Sequence, residues 1–132
     1  MRSLRKGGGN QGDTGSAGED LAARFLARSR GYALKVRNWR NPADRREEID
    51  LVCRDGEVLV FVEVRTRSED ALVPGFFSID GRKRRTLRRV IRAYLRLLRH
   101  RPRTFRLDVV EVELTAGEPV IRHYENVGLF SA

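Results

Sequence analysis

Residues 47–67 read EEIDLVCRDGEVLVFVEVRTR. Two runs rich in strand-forming residues flank Arg54-Asp55-Gly56, and an Asp-Gly pair between strand patterns is a strong hairpin signal. The two runs are therefore expected to be antiparallel neighbours. Alternation along the second run places Val60, Val62 and Val64 on one side and Leu59, Phe61, Glu63 and Arg65 on the other. Valines suited to the middle of a sheet thus end in a carboxylate and a guanidinium two residues apart. Burying charge is costly unless it is paired or coordinated, so such an ending is either a structural ion pair or a site.

Taking Asp55 and Gly56 as the two loop residues sets Arg54 opposite Glu57, Glu48 opposite Glu63 and Asp50 opposite Phe61. Asp50 and Glu63 then become diagonal neighbours on one face, roughly 7–8 Å apart at the backbone. Their carboxylates would reach a common ion, with Arg65 on the same face. A register shifted by an even number keeps them together, and an odd shift separates them. Like charges set side by side on a sheet repel, which a divalent cation between them would relieve; Mg²⁺ prefers hard oxygen ligands and can activate water beside a phosphodiester. The competing reading is a cross-strand salt-bridge cluster of Glu48, Asp50, Glu63 and Arg65.

Outward from the hairpin, Ala17, Leu21, Ala22, Phe25 and Leu26 recur at helical spacing until Gly31, which predicts a first helix. YALKVRNWR predicts a strand closed by Asn41-Pro42. After a loop with Pro74-Gly75, residues from about Ser78 to His100 carry Leu87, Val90, Ile91, Tyr94, Leu95 and Leu98 on one stripe, a second helix that Pro102 ends. TFRLDVVEVEL alternates as a fourth strand, and PVIRHYENV is available for a fifth. The order αβββαβ describes an α/β protein, a mixed sheet flanked by helices.

The 132 residues suit one domain, with a Gly-rich basic tail over 1–15 and a single domain over 16–132. The net charge of +9 comes almost entirely from arginine, whose planar fork suits phosphate, so a polyanion is the expected partner. Cys53 alone excludes an internal disulfide and a cysteine-rich zinc site, and its apolar strand makes it core. The N-terminal MRSLRKGGGNQGDTG has no apolar stretch behind its basic residues and does not read as a secretory signal, and no membrane span is expected, so the expected location is cytoplasmic.

GEDLAARFLARSRGY, EEIDLV, LVFVEVRTR, a lysine near the start of a long helix and RLDVVEVEL, in that order from about Gly18 onward, resemble the YraN-like family of bacterial proteins. That resemblance implies the restriction-endonuclease-like fold and its PD-(D/E)xK nuclease signature. Asp50 matches the first acid of the signature and Glu63 the second, while Glu19 matches an acid that several relatives, including archaeal-type Holliday junction resolvases, carry on the first helix. Metal ligands Glu19, Asp50 and Glu63, with Mg²⁺ or Mn²⁺, are what the resemblance implies. The sequence departs from the pattern twice: Glu47 stands where the family usually has glycine, and Arg65 replaces the signature lysine. Lysine can be lowered in pKa to orient or deprotonate water, whereas arginine stays protonated: it can stabilise phosphate charge but cannot act as the base. Lys83, at the start of the second helix, is the candidate substitute; a solvated lysine is the alternative.

Glu19 has a competing role, because Ser16-x-x-Glu19 before an apolar run is a capping box. Arg106 and Asp108 read as an internal ion pair, and His100 and His123 as surface or packing residues. Arg82, Lys83, Arg84, Arg85, Arg88 and Arg89 make the second helix cationic outside its stripe, for phosphate contact or as a solvated face. Trp39 and Tyr32 are expected in the core rather than stacked on bases. The expected activity is metal-dependent phosphodiester hydrolysis on DNA rather than RNA, with branched or structured DNA as substrate and Asp50, Glu63, Arg65 and Lys83 at the catalytic centre. The alternatives are a non-catalytic nucleic-acid-binding protein that retains the fold and a basic scaffold on a ribosome or protein. A homodimer is left open, since junction-cleaving enzymes often work in pairs.

Overall fold

The structure, a computed structural model, describes residues 8–68 and 79–129, with side chains from residue 15 onward. Seven elements follow one another: α1 (Gly8–Arg30), β1 (Ala33–Asn41), β2 (Asp44–Asp55), β3 (Val58–Ser68), α2 (Gly81–Leu97), β4 (Thr104–Leu114) and β5 (Val120–Tyr124). They form a mixed α/β protein whose single sheet has the order β1-β2-β3-β4-β5. Every neighbouring pair is antiparallel except β3 and β4, which run parallel and need a crossover. α2 lies in that crossover. The Pro74-Gly75 loop and the expected start of the second helix at Ser78 lie outside the described residues.

Alternation divides β3 between two cores. Leu59 and Phe61 pack with Val52, Leu107 and the α2 stripe of Leu87, Val90 and Ile91. Val60 and Val62 pack with Leu51, Cys53, Val110, Val112 and the α1 residues Ala22 and Leu26. Coverage on both faces explains why β3 reads as almost continuously apolar. Cys53 is buried, as its strand predicted.

Three boundaries differ from expectation. α1 begins at Gly8, so its first turns lie in the stretch read as a tail, and Ser16 sits inside the helix rather than capping it. α1 ends where expected, with Gly31 at φ +74° and the Tyr32 N–H closing onto the Leu26 carbonyl at 3.0 Å. α2 starts behind Asp80, whose carboxylate accepts the Lys83 N–H, and stops at Leu97, short of His100, because Leu98 is already extended.

The hairpin register differs by two residues. Pairing runs from Asp55↔Val58 to Leu51↔Val62, which makes Gly56 and Glu57 the loop, not Asp55 and Gly56. Gly56 has φ +63°, as a type II′ turn requires at its first central residue. The shift is even, so the predicted faces survive. Continued one step, the register sets Asp50 directly across from Glu63 rather than diagonal to it.

A second irregularity shapes β1 and β2. Val36↔Val52 and Trp39↔Ile49 are register pairs, and all four side chains pack in the core beneath α2. A step of three residues cannot keep one face under strict alternation, so both strands turn over once in between. Asn38, at φ +52°, and Asp50 occupy that point. Among the described residues, no helix is long and apolar enough to cross a membrane.

Candidate functional site

Asp50 lies within β2 where the pairing with β3 ends. Beyond Leu51↔Val62 the Val64 N–H donates to Asp50 Oδ2 at 2.8 Å. The turnover at Asn38 and Asp50 also swaps the faces of β2: Leu51 and Cys53 face α1, whereas before the turnover the odd-numbered Glu47 and Ile49 face α2. Glu47 reaches α2, accepting from Arg89 Nε at 2.7 Å and from Asn41 Nδ2 at 3.0 Å. Glu48 turns toward α1. Glu19, Glu48 and Asp50 each offer a carboxylate oxygen within 4.8 Å of the others.

α1 brings Glu19 to this point because Gly18 lies against Thr66 of β3, where an added Cβ would collide with the Thr66 side chain. Glu19 faces Arg37, at 3.7 Å, and is not in a capping box with Ser16. Burial raises its pKa, while a hydrogen bond with Asn38 and the Arg37 charge act against the rise.

Glu63 belongs to the other half of the site. It is buried at 5% exposure, with Lys83 Nζ 3.3 Å and an Arg65 guanidinium nitrogen 3.8 Å from its Oε2. Burial pushes its pKa up, and the two cations oppose that. For Asp50, burial and then the Glu63 charge push the carboxyl up to about 7, against the Val64 N–H. Carboxylates crowded in this way favour a bound cation or a proton. Asp50, Glu48, Glu63, Arg65 and Lys83 line one open cleft of about 490 Å³.

Sequence reading thus finds Asp50, Glu63, Arg65 and Lys83 in one cleft, and Glu19 beside Asp50. The tightest carboxylate group is Glu19, Glu48 and Asp50, with Glu63 held by Lys83 and Arg65 instead. Three carboxylates at that spacing suit a hard divalent ion with oxygen ligands. Sequence alone assigns Glu48 to a salt-bridge cluster, and it does pair with Arg40 at 2.9 Å. Its place beside Glu19 depends on the turnover at Asn38, which alternation does not reveal.

The basic helix divides by task. Lys83 enters the cleft, and Arg82 lines an adjoining cavity of about 320 Å³. Arg84 donates to the Ile79 carbonyl, Arg88 to the Leu129 carbonyl and Arg89 to Glu47. Those three hold the fold, whereas Arg85 is exposed. Trp39 packs edge-on against Tyr94 and Tyr32 is buried, both in the core as expected.

The Arg106–Asp108 pair forms at 2.8 Å, away from the cleft. His123 is more than a surface residue: its side chain is 1% exposed, and its Nε2 lies 2.8 Å from Asp108 Oδ2. Tyr32 and the Asn126 N–H also donate to Asp108. Only the pairing of β4 with β5 brings His123 there, and no local spacing signals it.

Residues 18–112 match the model of the uncharacterised protein family UPF0102. The chain is similar to a UPF0102 protein of Moorella thermoacetica, 45% identical over 106 residues that cover 80% of this chain and 85% of the relative. A UPF0102 protein of Anaeromyxobacter dehalogenans is 44% identical over 124 residues, 89% of this chain and 88% of its own. One of Koribacter versatilis is 38% identical over 118 residues, 89% and 80% respectively.

Proposed function

We propose that this chain, which belongs to the UPF0102 family, is a metal-dependent endonuclease of the restriction-endonuclease-like fold that hydrolyses phosphodiesters in branched or structured DNA. The observation that carries the proposal is the placement of Lys83. Its Nζ lies 3.3 Å from Glu63 in the cleft that also holds Asp50, so a helix supplies the lysine that Arg65 replaces on the strand.

Glu19, Glu48 and Asp50 would hold Mg²⁺ or Mn²⁺, with Glu63 at the edge of the set. Such an ion supplies an activated water and charge neutralisation at the phosphate. The chain's own residues do the rest. Val64 fixes one Asp50 oxygen and leaves the other for a ligand. Lys83 and Arg65 oppose the rise that burial causes in the Glu63 pKa and present positive charge where a phosphate crosses it. Lys83 is a side chain able to lose a proton and so to act as a base toward the attacking water, a role closed to Arg65.

Mn²⁺-dependent cleavage of duplex, single-stranded, flap and four-way-junction DNA, compared among wild type, Asp50→Asn and Lys83→Met, tests the proposal. Cleavage by wild type and its loss in both variants is expected. Salt-sensitive binding without variant-dependent cleavage overturns it in favour of a non-catalytic DNA-binding protein. That second reading draws on Arg65, since a cleft whose strand lysine has become arginine retains its affinity for phosphate without a strand-borne proton acceptor.

A further inference from the structure

The cleft has carboxylates in its middle, and a polyanion crossing them needs cations on both sides. On the α2 side these are present. The 490 Å³ cleft and the 320 Å³ cavity share Arg65, Lys83 and Thr86, so they form one trough that ends at Arg82. On the β2 side the cleft is lined by Arg46.

Arg46 differs from the arginines around it. Arg40 pairs with Glu48 and donates to the Arg45 carbonyl, and Arg89 pairs with Glu47. These hold the β1–β2 hairpin in place. Arg46 is 90% exposed and makes a two-pronged contact with Asp44, Nε to Oδ1 and a terminal nitrogen to Oδ2, both at 2.9 Å. An exposed ion pair of this kind contributes little stability, and the same fork fits a phosphate. Asp44 therefore occupies the Arg46 fork at the rim, and a phosphate that displaces it costs the fold little.

We infer that Arg46 contacts a backbone phosphate, so that a nucleic-acid strand crosses the carboxylates between the β1–β2 hairpin and the start of α2. The inference rests on the nucleic-acid reading of the cleft but not on cleavage. Each phosphate neutralised releases counterions and steepens the salt dependence of binding.

The test is fluorescence anisotropy of end-labelled single-stranded and duplex DNA in EDTA, between about 50 and 200 mM salt. Arg28→Gln serves as the control, because Arg28 is exposed on α1 about 13 Å beyond Glu19 at ~1.5 Å per residue. Arg46→Gln is expected to weaken binding about 3- to 10-fold in at least one DNA form, and to lower the slope of log affinity against log salt by about one, with Arg28→Gln unchanged. Wild-type binding with Arg46→Gln indistinguishable from Arg28→Gln overturns the inference alone. A wild type that binds neither DNA overturns it together with the nucleic-acid reading.

Discussion

Asp50 accepts the Val64 N–H at 2.8 Å and lies one register step beyond the last β2–β3 pair, directly across from Glu63. The two carboxylates therefore share a cleft where the sheet parts, and burial raises both pKa values, helped for Asp50 by the Glu63 charge and for Glu63 by that of Glu48 against Lys83 and Arg65. A carboxyl that titrates higher folded than unfolded binds its proton more tightly in the native state, so stability falls as pH rises. For Asp50 the fall spans the interval from 3.8 to about 7. Asp50→Asn is expected to flatten that stretch of the stability curve and, at pH 8, to be about 2–4 kcal/mol more stable than wild type, given ~1.4 kcal/mol per pH unit. Urea titrations between pH 4 and 8 measure it; a less stable Asp50→Asn at pH 8 contradicts the crowding.

Metal reverses the sign. An ion bound to the native carboxylates and not to the unfolded chain stabilises by mass action. On the proposed function, Mn²⁺ raises the melting temperature of wild type by a few degrees and leaves Asp50→Asn unmoved. Glu48→Gln is expected to weaken Mn²⁺ binding at least as much as Glu63→Gln, since Glu48 and not Glu63 completes the tight carboxylate group. Calorimetric titration of Mn²⁺ compares the two variants without any cleavage assay, and a Glu48→Gln protein with wild-type affinity rules out that ligand set.

Lys83 separates stability from chemistry. Removing it as Lys83→Met leaves buried Glu63 with Arg65 at 3.8 Å as its remaining close cation, at a cost of about 0.5–1.5 kcal/mol, small because Lys83 is 38% exposed. Lys83→Arg restores the charge but not a group able to lose a proton. Stability is therefore expected to recover in Lys83→Arg while Mn²⁺-dependent cleavage does not. Recovery of cleavage would make the side chain a charge stabiliser only.

Much of this arrangement is legible in sequence because alternation and helical spacing are strong signals for Leu59–Val64 and for the α2 stripe. The hairpin loop lies one residue beyond the expected Asp55-Gly56, which shifts the pairing by two, and the site survives because that shift is even. Three features lie beyond local patterns. Asn38 takes a left-handed backbone that turns β1 and β2 over and so brings Glu48 to Glu19. The helix extends back through glycines to Gly8, which takes Ser16 out of its expected capping role. His123 meets Asp108 only through the β4–β5 register, where Val109 pairs with Tyr124 and Val110 with His123.

Gly18 marks how closely α1 must approach the sheet to deliver Glu19. A methyl group there collides with Oγ1, Cβ and Cγ2 of Thr66, so that side chain, β3 or α1 has to shift. Gly18→Ala improves helix propensity, yet overpacking is expected to outweigh it, with a net loss of about 1–3 kcal/mol. The double variant Gly18→Ala, Thr66→Ala should recover most of the loss, and chemical denaturation of the single and double variants checks it.

Asp108 is fully buried, and burial alone would raise its pKa; Arg106, the Asn126 N–H and His123 outweigh that and hold it below 3.8. A depressed carboxyl contributes stability above its unfolded pKa and loses it as pH falls through the folded one, so this network weakens only under acid, opposite to Asp50. Asp108→Ala takes away the buried partner of Arg106, which keeps Asp55 at 3.2 Å, and also the partner of His123 and of the Asn126 N–H, together an effect of about 3–5 kcal/mol. Asp108→Asn keeps the shape but not the charge and is expected to fall between. Because Asp108, Tyr32 and His123 lie away from the cleft, both variants should bind DNA at wild-type strength at temperatures where they remain folded. Thermal unfolding beside the anisotropy assay decides the point: DNA affinity lost by folded Asp108→Asn would tie this network to the site, and unchanged affinity confines it to holding β5 and α1 onto the sheet.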